Sequence, residues 1–223
     1  MAVGLMTNSK KLEYLLQVLA GSTWVEYWKK NPKLVFKDFL EQKLAEYKII
    51  NTFVKFGPDS VVLDYGIGMG LIAEHVCRSA GKVYGWDIDP AMLEYCKDKF
   101  SDTNNIELLD PNYPIADLKH SQINTIMANN VIGEYFDLEK FGKLLSQFSN
   151  ILGNGGKVWF DWYNIKQTKK TLPADGQIYF KTSGLNHFTP QQVLGKVKDN
   201  GNFDIVFLDT THHHAKALIK KFK

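Results

Sequence analysis

Two kinds of hydrophobic spacing alternate along most of this chain. From residue 60 onward, short apolar runs typical of buried strands are followed by segments whose apolar residues recur every three to four positions, as in an amphipathic helix. Strands that alternate with helices form a parallel sheet with helices on both faces. We predict strands at 61–64, 82–87, 106–109, 123–128 and 157–162, and intervening helices at 71–78, 90–100 and 138–152.

The two ends of the chain depart from this alternation. Before the first strand, helical spacing predicts a helix over 10–20 and a second helix that begins at Pro32. Near the other end, Pro190 begins a last helix, and two strands at 203–209 and 215–222 follow as an antiparallel hairpin. The predicted fold is therefore α/β, with a Rossmann-like, doubly wound, mostly parallel seven-stranded sheet that ends in an antiparallel hairpin and is preceded by N-terminal helices.

The length of 223 residues suits one well-buried α/β domain and is too short for two ordinary ones. We divide this domain into an N-terminal helical lid at 1–56 and an α/β core at 57–223 with an insertion at 164–187, in which 177–180 looks extended. The aromatic cluster at 24–28 either packs the first helices onto the sheet or closes over a substrate pocket. The insertion also carries several lysines, which either face solvent or bind an acidic substrate.

A glycine-rich turn follows the first predicted strand, in the stretch 61–70, Val-Val-Leu-Asp-Tyr-Gly-Ile-Gly-Met-Gly. Because Gly66, Gly68 and Gly70 have no Cβ, a ligand can contact the backbone there, beside the free N–H groups at a helix N-terminus. A dinucleotide fingerprint would need its third glycine at the position of Leu71. The spacing therefore favours a different nucleotide-like cofactor.

Asp64 followed by Gly66-x-Gly68-x-Gly70 resembles motif I of the class I S-adenosylmethionine (SAM) dependent methyltransferases. This resemblance implies SAM as the cofactor, with its amino-acid half on the glycine turn. Asp87, at the end of the second predicted strand, resembles the second motif of the family. A carboxylate at this position can accept hydrogen bonds from both ribose hydroxyls of the cofactor.

The resemblance extends to the C-terminus and implies further cofactor-binding residues. Ile88 would pack on an adenine face, and Asp110 would accept a hydrogen bond from the adenine amino group, although Asp110 could equally begin a turn. Asp64 would orient the methionine end of SAM through its amino group. Asn129, at the end of the fourth strand, would offer a backbone carbonyl nearby.

Methyl transfer to a hydroxyl or ammonium acceptor requires alignment, exclusion of water and removal of a proton. Many small-molecule members of the family carry a histidine just after the fourth strand, where this chain has Asn-Val-Ile-Gly-Glu-Tyr at 130–135. Glu134 or Tyr135 could act as the base or anchor the substrate, or both could be structural residues at the start of a helix. His187 is a further catalytic candidate because histidine has a suitable pKa.

Two other sets of side chains carry groups that could bind a substrate or a metal. Asp161 and Tyr163, at the end of the fifth strand, are also candidates for the acceptor site. In an extended chain His212 and His214 share a face but supply at most two metal ligands, so we expect no metal.

Composition argues against nucleic-acid and membrane partners. The net charge is only +3, Arg78 is the only arginine, and no apolar run is long enough to span a bilayer. An Asn/Asp-Pro-Pro-aromatic run, typical of adenine amino-group methylases, is absent after the fourth strand, and neither cysteine follows a proline as in cytosine ring-carbon enzymes. Cys77 and Cys96 have no metal-ligand spacing and are expected to be reduced thiols in a cytoplasmic protein.

These observations predict a SAM-dependent methyltransferase that acts on oxygen or nitrogen of a small molecule. The missing histidine keeps open a non-catalytic SAM-binding or regulatory subunit, and a protein methyltransferase is a further alternative. A nicotinamide oxidoreductase is a third reading of the glycine turn. The sequence indicates neither the acceptor nor the oligomeric state.

Overall fold

The computed structural model describes residues 32–120, 122–164, 187–211 and 214–222. The predicted helix over 10–20, the aromatic cluster at 24–28 and the extended stretch at 177–180 lie outside these residues. The helices are α1 (Pro32–Val54), α2 (Ala73–Val76), α3 (Pro90–Lys99), α4 (Ile132–Tyr135), α5 (Leu138–Ile151) and α6 (Pro190–Asn200), with a short 3₁₀ helix at Ile115–His120.

The strands form one mixed sheet with the order β3-β2-β1-β4-β5-β8-β7. Only β8 runs antiparallel to its neighbours β5 and β7, which confirms the predicted terminal hairpin. The strands are β1 (Val61–Tyr65), β2 (Lys82–Trp86), β3 (Ile106–Leu108), β4 (Thr125–Ala128), β5 (Lys157–Asn164), β6 (His187–Phe188), β7 (Phe203–Asp209) and β8 (His214–Lys221).

Helices cover both faces of this sheet, as the alternating pattern predicted. On one face, α5 buries Phe141, Leu145 and Phe148 against β1, β4 and β5. On the other face, Ile50 of α1 and Val76 of α2 belong to a second cluster with the central strands. The central strands are buried from both sides, because β4 is buried at every position.

β6 was not predicted and adds an eighth strand of two residues. It pairs in parallel with Tyr163 and Asn164 of β5, whereas β4 pairs with β5 only as far as Phe160. β6 therefore lies on the same edge of β5 as β4, just beyond the carboxyl end of β4. The signal for such a strand is too short for periodicity to detect, since two residues show no alternation.

The helix after the glycine turn is shorter than the predicted 71–78. Only Ala73–Val76 is α-helical, because the N–H groups of His75, Arg78 and Ser79 bond to carbonyls three residues back rather than four. The predicted start of the fourth strand at residue 123 was also wrong, since β4 begins at Thr125. The helix was predicted too long because the apolar residues of a tight turn and of an α-helix have similar spacing over so few residues.

The helix-start signals were accurate. Thr189 and Gln192 form a capping box, with Gln192 N–H donating to Thr189 Oγ1 over 3.3 Å and Thr189 N–H donating to Gln192 Oε1 over 2.8 Å. Gly201 ends this helix in the left-handed region at φ 73°. Of the helices in the described ranges, none has both the length and the apolarity to cross a lipid bilayer.

Candidate active site

The candidate site lies where the carboxyl ends of β1, β2 and β4 meet. Parallel pairing places Asp64 of β1 opposite Gly85 of β2 and Met127 of β4. Asp87 and Asn129 each follow the end of their strand, so the predicted cofactor residues of three strands lie at one edge of the sheet. Ligands of open parallel sheets bind beyond this edge.

The glycine turn is a left-handed backbone at alternate residues. Gly66, Gly68 and Gly70 have φ values of 78°, 51° and 62°, which non-glycine residues rarely adopt. A Cβ on Gly66 would overlap the side chain of Val131, and one on Gly70 would lie 2.5 Å from Phe100. A Cβ on Gly68 would meet nothing within 4 Å, so Gly68 faces open space rather than the core.

Asp87 fixes this turn through its carboxylate. Gly68 N–H donates to Oδ2 over 2.8 Å and Asp89 N–H donates to Oδ1 over 2.9 Å. Burial raises the pKa of Asp87 above its usual value, and these N–H donors oppose the shift. Each oxygen can accept a second hydrogen bond. The next residue, Ile88, is 63% exposed and offers an apolar surface beside this carboxylate.

Asp64 is more deeply buried, with 4% of its surface exposed. Burial, followed by the negative charge of Asp87, raises the pKa of Asp64 from 3.8 to about 7. The positive charge of Lys43 opposes this shift. A carboxyl with such a pKa gains from a nearby cation, because the cation favours its ionised form.

Charged residues from α1 reach this edge of the sheet, which the sequence analysis missed. Glu46 Oε1 accepts from Asn129 Nδ2 over 2.7 Å, and Glu46 Oε2 lies 2.9 Å from Lys43 Nζ. Although burial opposes it, the positive charge of Lys43 leaves the pKa of Glu46 below its usual value. The available signal was a Lys and a Glu three residues apart on the side of α1 that also carries Leu40, Leu44, Tyr47 and Ile50.

Asn130 joins α1 to β5. In the amide orientation that satisfies both of its groups, Oδ1 accepts from Lys43 Nζ over 2.6 Å and Nδ2 donates to Asp161 Oδ2 over 3.3 Å. Its backbone N–H also donates to Asp161 Oδ1 over 2.8 Å. Asn130 has φ 56°, so these contacts maintain a backbone conformation that is unfavourable for a non-glycine residue. Asp161 is 1% exposed.

These polar side chains share the face of the sheet that α1 covers. Asp64 lies two residues after Val62, and Asp161 two residues after Trp159, so each aspartate shares a face of its strand with a residue that packs with Ile50 of α1. We call Lys43, Glu46, Asp64, Asn129, Asn130 and Asp161 the α1-face cluster. It follows that the end of β4 is held between α1 and β5.

The structure says less about the remaining residues that the sequence suggested for the site. Asp110 is exposed, and its Oδ1 accepts from Asn112 N–H over 2.8 Å, so the predicted turn is present. The adenine contact of Asp110 stays a prediction. Glu134 and Tyr135 end α4, and His187 begins β6, but the structure describes only the backbone of these three residues. Within the described residues, no group of three or more potential metal ligands converges.

The residues present suit SAM. Ile88 supplies an apolar surface for an adenine ring, Asp87 has acceptor capacity for ribose hydroxyls, and Gly68 leaves room for close approach to the backbone. Asp64 can accept from an ammonium group. In addition, Asn129 Oδ1 is buried and, in the described part of the chain, has no hydrogen-bond partner, as expected where a ligand donor is missing.

Comparison with known proteins supports this assignment. The family model described as a methyltransferase domain matches residues 62–156. An uncharacterized methyltransferase of Geobacillus sp. is 27% identical over 170 residues, which are 73% of this chain and 78% of the relative. A probable ribosomal RNA small subunit methyltransferase A of Methanococcoides burtonii is 38% identical over 69 residues. That match spans 31% of this chain and only 25% of the relative.

Solved methyltransferase structures share the fold at low sequence identity. Magnesium protoporphyrin IX methyltransferase from Synechocystis PCC 6803, with bound SAH, aligns with a TM-score of 0.66 at 16% identity, covering 95% of this chain and 100% of that chain. A SAM-dependent methyltransferase from Clostridium acetobutylicum aligns with a TM-score of 0.64 at 16% identity, covering 90% of this chain and 99% of that chain. The match to a methyltransferase-domain model, together with the glycine turn and its two acidic residues, supports a SAM-dependent methyltransferase whose cofactor is S-adenosylmethionine, and the solved structures show the class I methyltransferase fold.

Proposed function

We propose that this chain transfers the methyl group of SAM to an oxygen or nitrogen atom of a small-molecule acceptor. SAM, when bound, supplies an electrophilic methyl group on its sulfonium. The observation that supports a small acceptor is the enclosure of the Asn129–Asn130 turn at the end of β4. The side chain of Glu46 in α1 bonds to Asn129, and β6 continues the edge of β5 just beyond β4.

This enclosure limits what can approach the reacting position. The α1-face cluster closes one side, with Asn130 bonded to both Lys43 and Asp161. β6 closes a second side through its pairing with Tyr163 and Asn164. A pocket bounded by secondary structure on two sides suits a compact acceptor and excludes water from the reaction.

The cofactor-binding roles follow the geometry. Asp87 would accept hydrogen bonds from the ribose hydroxyls while retaining its bonds to Gly68 and Asp89. Ile88 would pack on the adenine ring, and Asp110 would accept from the adenine amino group through its second oxygen. Asp64 would bind the ammonium of the amino-acid half, which lies on the glycine turn.

Proton removal from the acceptor is assigned to the segment after β4. α4 begins soon after the Asn129–Asn130 turn. Its residues Glu134 and Tyr135 therefore follow the end of β4, where the acceptor would bind. His187 begins β6 and pairs with Tyr163 of β5, just beyond the end of β4. Of these three we propose Glu134 as the base, with Tyr135 and His187 as alternatives or substrate anchors.

One observation favours a second acceptor class. A probable ribosomal RNA small subunit methyltransferase A is 38% identical to this chain, although over only 69 residues. The match spans only 25% of that protein. Ribosomal RNA is therefore the alternative acceptor, and the first experiment has to include it.

The test uses the full chain and SAM labelled on its methyl group. We expect label transfer to at least one member of a panel of phenols, amines and carboxylic acids, and none to a small-subunit rRNA transcript or to a protein extract. Transfer only to rRNA or protein would replace the small-molecule proposal. Binding of SAM without transfer to any acceptor in the panel would support a regulatory subunit instead, and thermal protection by NAD(P)H but not by SAM would overturn the cofactor assignment.

A further inference from the structure

Side chains in the last turn of α3 donate hydrogen bonds to the backbone of the glycine turn. Cys96 Sγ donates to the carbonyl of Gly68 over 3.2 Å. Lys99 Nζ donates to the carbonyl of Met69 over 3.1 Å and to that of Gly70 over 3.0 Å. Three consecutive carbonyls of the turn thus point toward α3.

The ammonium group of Lys99 is largely buried and makes three polar contacts. Its side chain is 10% exposed, and its ammonium also lies 2.9 Å from Oε2 of Glu74, just beyond the turn. The two carbonyls and this carboxylate use three donor positions, which is all that an ammonium has. A buried lysine with all its donors bonded fixes the groups around it, since breaking the arrangement would leave a charge unpaired.

The direction of these carbonyls determines where the N–H groups point. In a trans peptide, the carbonyl of one residue and the N–H of the next point in opposite directions. The carbonyl of Gly68 therefore turns the N–H of Met69 away from α3, and the carbonyl of Gly70 does the same for the N–H of Leu71. Within the described residues, neither of these two N–H groups has a hydrogen-bond acceptor.

We propose that Lys99 is a positioning residue for cofactor binding: it holds the carbonyl of Gly70 so that the N–H group of Leu71, together with that of Met69, binds the carboxylate of the cofactor's amino-acid half. This inference rests on the proposed SAM site. Convergent N–H groups in a turn of alternating handedness form a concave site for anions. Lys99 contacts no part of the cofactor itself and acts only through the turn.

The test compares two ligands that differ in the amino-acid half. S-adenosylhomocysteine has the carboxylate, whereas adenosine lacks it. In Lys99→Met, we expect the dissociation constant for S-adenosylhomocysteine to rise about tenfold, the effect of one or two lost hydrogen bonds to a charged group. We expect the constant for adenosine to change by less than about twofold, because Asp87 and Ile88 are untouched.

Two further variants complete the experiment. Lys97→Met, on the exposed side of the same helix where Lys97 pairs with Glu94 over 3.0 Å, should leave both constants unchanged. Lys99→Arg, which restores the charge and several donors, should recover most of the lost affinity. Should Lys99→Met fail to fold, Lys99→Gln retains one amide donor group and is expected to show the same difference between the two ligands.

Each result decides the question. Unchanged affinity for S-adenosylhomocysteine in Lys99→Met would overturn the positioning role, and so would an equal loss for both ligands, which indicates general damage to the fold. If the unaltered protein bound neither ligand, the SAM site itself would be wrong. That outcome is distinct, because it does not depend on any Lys99 variant.

Discussion

Glu46 of α1 accepts a hydrogen bond over 2.7 Å from Asn129 at the end of β4. These residues are 83 positions apart in the chain, yet the bond joins the helix before the sheet to the edge where the candidate site lies. Asn129 belongs to the strand end that the resemblance assigned to the cofactor site. Helix α1 therefore contributes a side chain to the candidate site.

The first prediction concerns this link. Glu46→Gln removes the charge that pairs with Lys43 and leaves a buried ammonium poorly compensated. We expect the free energy of unfolding to fall by about 2 to 4 kcal/mol, the usual effect of removing one partner of a buried pair. Urea denaturation monitored by tryptophan fluorescence measures the change.

The control for Glu46 lies on the same helix. Glu41 pairs with Lys37 at 3.7 Å, but its side chain is 65% exposed, so Glu41→Gln should alter stability by less than about 0.5 kcal/mol. The lowered pKa of Glu46 adds a pH dependence, because its stabilising contribution is present above its unfolded pKa and is lost as the pH falls through the lowered value. Equal stability losses in the two variants would show that the buried pair has no special role.

The second prediction concerns the protonation of Asp64. Burial raises the pKa of Asp64 from 3.8 to about 7. At a pH between these two values, the carboxyl of Asp64 is protonated in the folded protein and ionised in the unfolded chain. Stability should therefore fall as the pH rises through this window. Asp64→Asn removes this slope, so the difference in unfolding free energy between variant and unaltered protein should grow from pH 4 to pH 8 by on the order of 1 to 3 kcal/mol.

Cofactor binding should show the opposite pH dependence. An ammonium group prefers the ionised carboxylate, so S-adenosylhomocysteine should bind more tightly as the pH rises from 6 to 8, by up to about tenfold per pH unit. Asp64→Asn should bind weakly with a flat profile. Calorimetry at several pH values measures both, and a pH-independent affinity in the unaltered protein would contradict the role of Asp64.

The third prediction concerns Asp87. Asp87→Ala removes the acceptor for the ribose hydroxyls and the partner of Gly68 N–H, and we expect SAM binding to weaken by roughly 1 to 3 kcal/mol. Asp98→Ala, an exposed site on α3, serves as the control and should bind normally. Unchanged calorimetric affinity in Asp87→Ala would remove the assignment.

The fourth prediction separates two glycines of the same turn. Gly68→Ala places a Cβ in open space at φ 51°, so it should cost only about 1 to 2 kcal/mol of stability while weakening SAM binding by about tenfold or more, since the methyl group lies where the cofactor approaches. Gly70→Ala places a Cβ 2.5 Å from Phe100 and should lower the melting temperature more. If both variants lost stability and affinity in the same proportion, Gly68 would not face the cofactor.

The fifth prediction tests the proposed base. Glu134→Gln should lower the rate of methyl transfer while SAM affinity is retained, because the amide cannot accept the acceptor's proton at neutral pH. Glu139→Gln, at an exposed position of α5 where Glu139 pairs with Lys143 over 2.8 Å, should transfer at the normal rate. Rates for Glu134→Gln that equal those of the unaltered protein at every pH would exclude this residue as the base.

The sequence predicted the features that depend on local signals. Alternating strand and helix spacing predicted the parallel sheet, and Thr189 with Gln192 and Gly201 predicted both ends of α6. The three glycines could be assigned to a ligand-binding turn because a residue without a Cβ lets a ligand contact the backbone. Such signals lie within a few residues of one another and need no knowledge of distant contacts.

Other features were decided by residues far apart in the chain. The burial of Lys43 and Glu46 against Asn129 and Asn130 depends on where α1 lies, and a charged pair within an amphipathic helix ordinarily faces solvent. β6 is similar, since its two residues form a strand only because Tyr163 and Asn164 extend beyond β4.

By itself, then, the sequence determined the fold class and the glycine turn, because periodicity and glycine spacing are local properties of the chain, and its resemblance to a known family implied the identity of the cofactor. Only the tertiary structure decided which charged side chains are buried at the sheet edge and that the pKa of Asp64 rises to about 7. It also decided that Lys99 donates hydrogen bonds to carbonyls of the glycine turn. Burial and electrostatic interaction are set by distances in space, and packing alone brings these residues together.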